Sequence, residues 1–140
     1  MNLKERESRA CAIIDGVQDE LKRISLFLHD NPELGQHEDR AVETISRYMA
    51  QHGFDTAVGL TKRPELRTAM RADIGLERLH KLAFLGEYDA LPELGHGCGH
   101  NLIAIMSMGA AIAFSQTCRD TWGTTFFGCP AEETIGGKVY

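Results

Sequence analysis

Apolar residues recur at steps of three and four through the first thirty positions, at Ile13, Val17, Leu21, Ile24 and Leu28. That period lets an α-helix bury one face. The helix should end near Asn31-Pro32, because proline pushes the residue before it out of the helical region. A second helix is predicted over 38–51, with Val42, Ile45 and Met49 as its buried stripe and Gly53 placed where a left-handed residue closes a helix. Residues 54–58 read as a short strand. Residues 68–74 read as another, at an edge or half-exposed because Arg67, Arg71 and Asp73 interrupt it.

The clearest strand is 81–88. Its centre, Leu82-Ala83-Phe84-Leu85, is continuously apolar, which predicts cover on both faces. A glycine-rich loop follows over 89–101. Residues 102–116 form a helix of Ile, Met and Ala, with Met106 and Met108 in its core, and 122–129 is a second central strand ending at Pro130. Strand, loop, helix and strand in this order make a βαβ unit, which requires parallel pairing. The fold class is therefore α/β, with a mainly parallel sheet and flanking helices. In such sheets ligands gather beyond the carboxyl ends of the strands. The segments there are 89–100 and 130–137, and they hold the most chemically capable residues in the chain.

Composition narrows the field without naming a function. At 140 residues the chain is one domain in size, and 43% hydrophobic with 25% charged residues is ordinary for a globular protein. Fifteen Lys+Arg against twenty Asp+Glu give a formal net charge of -5, which argues against a nucleic-acid partner. The longest apolar stretch, 102–114, is interrupted by Ser107 and Gly109 and reads as too short to span a bilayer. The first residues carry both charge signs and show no apolar secretion segment. A cytoplasmic location is expected, with Cys11, Cys98, Cys118 and Cys129 as reduced thiols. Cys129 reads as a buried strand residue, and Cys11 and Cys118 as packing residues.

In the first loop, Cys98 and His100 stand two apart between glycines, so a thiolate and an imidazole can face one ion. Gly97 and Gly99 permit backbone angles that a Cβ would block. Taken alone, such a pair is also a common coincidence of loops. In the second loop, Glu132 and Glu133 follow the end of a buried strand. On an extended backbone they would diverge, leaving one to ligate a metal and the other to transfer protons. The plain alternative is a solvated pair. His96 is the histidine nearest to Cys98 and reads as a loop residue; His29 reads as a helix-end residue.

Taken jointly, three segments make the chain recognisable: Leu28-His29-Asp30-Asn31-Pro32-Glu33-Leu34-Gly35, residues 86–101, and Gly128-Cys129-Pro130-Ala131-Glu132-Glu133 with Gly136-Gly137-Lys138. In this order they resemble the aminoacylase-like co-catalytic metallopeptidases, on the branch of hippurate hydrolases, aminobenzoyl-glutamate hydrolases and related dipeptidases. The resemblance implies Cys98, His100 and Glu133 as metal ligands and Glu132 as the general base. Asp89 would orient a ligand or the loop, and Glu87 stands where sister branches carry a ligand histidine. It further implies two divalent ions, zinc or manganese, that activate water to cleave amide bonds. The substrates would be small N-acyl amino acids, aminobenzoyl-glutamate-like compounds or dipeptides, with no membrane or nucleic-acid partner and frequent homodimerisation.

Relatives of that kind are longer, with two further histidine ligands and a dimerisation domain beyond a Gly-Gly-Lys strand. The expectation is thus residues 1–140 as part of a catalytic domain, supplying part of the site and incompetent alone. Two other readings stay open: a non-catalytic fragment, and a small structural zinc module drawing on Cys118 or Cys129.

Overall fold

A computed structural model describes residues 1–140. Helix α1 spans Leu3–Asp30, and Asn2 and Glu5 cap it reciprocally, each accepting from the other's backbone N–H. Asn31 ends it directly before Pro32, as the sequence predicts. Helix α2, Asp39–Gln51, buries Val42, Ile45 and Met49, and Gly53 follows it in the left-handed region at φ 85°. Strands β1 (Asp55–Val58), β2 (Met70–Ile74) and β3 (His80–Glu87) precede helix α3 (His100–Cys118) and strand β4 (Trp122–Cys129). A single-turn helix, α4, covers Glu132–Ile135.

The sheet order is β1-β2-β4-β3. β3 and β4 pair in parallel through α3, which confirms the βαβ unit, whereas β2 runs antiparallel to both β1 and β4. The sheet is therefore mixed, and the expected parallel character holds for the βαβ unit only. β2 is also interior, hydrogen-bonded on both sides, where an edge or half-exposed strand was expected; only Arg71 is exposed on it. Its charges fit because they alternate: Met70 and Ala72 face the core, while Arg71 pairs with Asp73 at 2.5 Å on the opposite face.

The larger departure concerns β3. It lies at the sheet edge, with Leu82 38% and Leu85 48% exposed, rather than covered on both faces. The helices explain this. The core cluster takes Leu21, Ile24 and Leu28 from α1, Ile45 and Met49 from α2, and Met108 and Ile112 from α3, all against Met70, Ala72 and Phe126 on one sheet face. Leu85 and Phe127 belong to the other face and stay partly open. A continuous apolar run thus marked a strand correctly but not its cover.

Helix α3 is longer than the apolar stretch suggested. Its 19 residues are by length and composition enough to cross a membrane, and half of that window is buried against the rest of the chain. Met108 is fully buried, but Met106 is 69% exposed and lies outside the expected core. Cys11 is exposed as well, not a packing residue, and Cys129 is buried as expected. The anticipated Gly-Gly-Lys strand is a 3-10 turn, Gly137–Val139.

The two methionines separate burial from composition. Met108→Ala should cost about 2–5 kcal/mol through a core cavity, and Met106→Ala about 0.5 kcal/mol or less. Urea denaturation followed by circular dichroism checks both; equal effects would contradict the assigned helix face.

Candidate functional site

Parallel pairing sets Glu87 beside Cys129, so the segments after β3 and β4 leave the sheet side by side. The first runs through Asp89 to Gly99, whose φ of 80° turns the chain into α3 and makes His100 that helix's first residue. The second turns at Ala131, left-handed at φ 56°, directly into α4 with Glu132 and Glu133. The expected extended backbone is absent there: the two glutamates sit on a helical turn, and that turn is what separates their directions.

Asp89 joins the two segments. Its side chain is fully buried; Oδ1 lies 2.9 Å from His100 Nδ1, and Oδ2 accepts the backbone N–H of Glu133 at 2.9 Å. The Asp89 carbonyl is also 2.9 Å from His100 Nδ1. With only acceptors around Nδ1, the proton belongs on that nitrogen, and Nε2 is left pointing outward. Nε2 faces Glu87 Oε2 at 3.2 Å and Glu133 Oε1 at 3.5 Å. A lone pair opposed to two carboxylates is unfavourable, so a positive charge, proton or metal cation, belongs between them.

The remaining residues surround this point. The exposed Cys98 thiol is hydrogen-bonded to the Glu133 carboxylate, which pushes the thiol's pKa up. Lys138 Nζ lies 2.5 Å from Glu87 Oε1 and 2.9 Å from Glu132 Oε1, and the two carboxylates hold its ammonium well above the usual lysine range. Glu132 Oε2 is buried with no hydrogen-bond partner. His96 is half-buried with Nδ1 unpartnered, and burial lowers its pKa. Burial pushes the Cys129 thiol up to about 11.

All five residues singled out from the sequence therefore lie in this region: Asp89, Cys98, His100, Glu132 and Glu133. No group of three or more His, Cys, Asp or Glu side chains is already arranged as a metal cage. Cys118 ends α3, about 27 Å from His100 at the rise of an α-helix, too far to share an ion with it. Sequence reasoning missed Lys138 as a partner of the carboxylates and gave Glu38 no role. Glu38 had a signal: it lies just before α2 and four residues before Val42, in phase with that helix's buried stripe.

A βαβ unit thus carries an imidazole and several carboxylates at its carboxyl end, where α/β sheets gather their ligands. Known proteins give the closer relationship. No family model matches the chain. It is 34% identical to Xaa-Arg dipeptidase of Mus musculus over 94% of its length and 33% of that protein. It is 32% identical to a p-aminobenzoyl-glutamate hydrolase subunit from Escherichia coli, over 79% of this chain and 26% of that one. A dinuclear metal-binding peptidase of the M20 family from Bacillus subtilis superposes with TM-score 0.71 at 24% identity, covering 85% of this chain and 36% of its own. The chain is thus similar in sequence to a dipeptidase and to an aminobenzoyl-glutamate hydrolase subunit, and spans about a quarter to a third of the length of the relatives it matches.

Asp89→Ala leaves the Glu133 N–H and the His100 Nδ1–H without the carboxylate. His100 Nδ1–H keeps the residue 89 carbonyl at 2.9 Å, so the expected loss is about 1–3 kcal/mol for the Glu133 N–H left unsatisfied, read as a lowered urea midpoint. Nitrogen NMR of the histidine ring supplies the control: in the unsubstituted chain His100 should carry its proton on Nδ1, and an unprotonated Nδ1 would contradict the geometry.

Proposed function

We propose that this region is the donor side of a metal-dependent centre that hydrolyses amide bonds in N-acyl amino acids, aminobenzoyl-glutamate-like compounds or dipeptides. The observation that carries the reading is the Asp89 carboxylate, which bonds His100 Nδ1 and Glu133 N and leaves His100 Nε2 facing carboxylate oxygens. Carboxylate–histidine pairs of this kind orient metal-ligating imidazoles. The relatives' printed activities, dipeptidase and aminobenzoyl-glutamate hydrolase, support the amide-bond chemistry.

The donors fit a divalent ion. Cys98, His100 and Glu133 offer sulfur, nitrogen and oxygen, a set suited to zinc, while the surrounding carboxylates also suit manganese. The buried, unpartnered Glu132 Oε2 and the electron-rich space around His100 Nε2 both favour a cation nearby. Such an ion supplies Lewis acidity toward water and an amide carbonyl.

The chain's own residues divide the remaining work. Asp89 keeps the proton on His100 Nδ1 and so presents Nε2 as the donor. Glu132 takes the proton of the attacking water at Oε2 and returns it to the leaving nitrogen. Lys138 holds the other Glu132 oxygen at 2.9 Å and so fixes the orientation in which Oε2 is presented. Further ligands and most of the substrate pocket would come from a longer polypeptide, so we propose that these 140 residues alone bind one ion weakly and turn over nothing.

Native mass spectrometry and zinc titration of the chain test the reading. One ion per chain is expected. Cys98→Ala and Glu133→Gln should weaken binding about tenfold or more, as perturbed metal sites do. Glu132→Gln should stay within about threefold, a change below roughly 1 kcal/mol. Equal affinity in all four proteins would overturn the assignment.

A further inference from the structure

We propose that Glu38 is a positioning residue for the Glu132–Glu133 turn, acting through Ala131 from a segment, 33–38, that ties the two site loops together. The inference rests on the functional reading above in assigning that turn to the active site; the positioning itself rests on geometry alone.

Glu38 precedes α2 and is fully buried, yet it does not cap its own helix. Glu33 does that instead: its carboxylate accepts the backbone N–H groups of Arg40 at 3.1 Å and Ala41 at 2.9 Å. The Glu38 carboxylate is free to reach elsewhere. Oε1 accepts the Ala131 N–H at 2.7 Å, and Oε2 accepts the Thr68 hydroxyl at 2.7 Å. A carboxylate held inside a protein by uncharged donors loses its hydration for those bonds alone, and burial accordingly pushes its pKa up. A group so placed is matched to particular partners.

Those partners border the site on both sides. Ala131 immediately precedes Glu132 and holds the left-handed conformation that side chains other than glycine rarely adopt. The Thr68 carbonyl accepts the Tyr88 hydroxyl at 2.7 Å, and Tyr88 immediately precedes Asp89. A second tie runs through Glu33, whose carbonyl accepts the Ala90 N–H at 2.8 Å. The segment also packs without spare room: a Cβ on Gly35 would fall 2.6 Å from Thr134 Oγ1 and 3.0 Å from Ala131 Cα. Losing the Glu38 carboxylate leaves the Ala131 N–H buried without a partner. The left-handed turn then relaxes, and the Glu133 N–H moves away from Asp89.

Amide hydrogen exchange by NMR on the full chain tests this, with zinc titration of the same samples. In the unsubstituted chain the Ala131 and Glu133 amides should be protected. Glu38→Ala should speed exchange at these two amides about tenfold or more while the core amides of α3 and β4 keep their rates. Glu38→Gln, whose Oε1 can still accept from Ala131 as its amide group donates to Thr68, should restore protection. If Glu38→Ala does not fold, Glu38→Asp keeps the charge but is too short for both bonds, and should show the same local loss. The same losing variant should bind zinc about tenfold more weakly, and Glu38→Gln within about threefold. An unprotected Ala131 amide in the unsubstituted chain would overturn the proposal. So would uniform acceleration across the core, or zinc affinity unchanged in a variant that has lost Ala131 protection. An unsubstituted chain that binds no zinc would overturn the functional reading, and the exchange pattern would still decide the positioning.

Discussion

Asp89 presents its two carboxylate oxygens to two different loops, and the candidate site exists because both are used. One oxygen faces His100 Nδ1 at the start of α3; the other accepts the Glu133 N–H at the start of α4. Burying a carboxylate costs several kcal/mol, so the arrangement stands only while charge-assisted hydrogen bonds, each about 1.5–3 kcal/mol, offset that cost. The constraint fixes both geometry and chemistry. It holds the imidazole in one tautomer and brings Glu133 to within 3.5 Å of Nε2.

The fold makes that fork possible. Parallel pairing of β3 and β4 puts the two loops next to each other, and α3 between the strands returns the chain so that His100 faces them. The 33–38 segment closes the arrangement from the third side, through Glu33 to Ala90 and Glu38 to Ala131. Both buried carboxylates at this end of the sheet, Glu38 and Asp89, therefore bind backbone N–H groups of the Ala131–Glu133 turn. Stability and site geometry are coupled here, because any change that frees a carboxylate also loosens that turn.

Much of this was legible in the sequence. Periodicity located α1, α2, α3 and β4 to within a few residues, since each buries one face or runs apolar throughout, and the spacing of Cys98, His100, Glu132 and Glu133 marked the two loops that converge. What was not legible depended on cover and on distant partners. Leu82 and Leu85 have the composition of a buried strand, but sheet order leaves β3 at an edge. Met106 shares the apolar run of α3 yet lies on its open face, because only one side of that helix meets α1 and the sheet. Glu38 stands in phase with the buried stripe of α2, but its backbone partner is Ala131, 93 residues away. No local pattern encodes such a bond.

The most direct test of the central claim is anomalous diffraction from crystals of the chain soaked in zinc. A peak at coordination distance, about 2.0–2.3 Å, from His100 Nε2 and Glu133, with the Asp89 bonds to His100 and to Glu133 N intact, is the result the account predicts. Zinc bound elsewhere, or at His100 Nδ1 with Asp89 displaced, would contradict it.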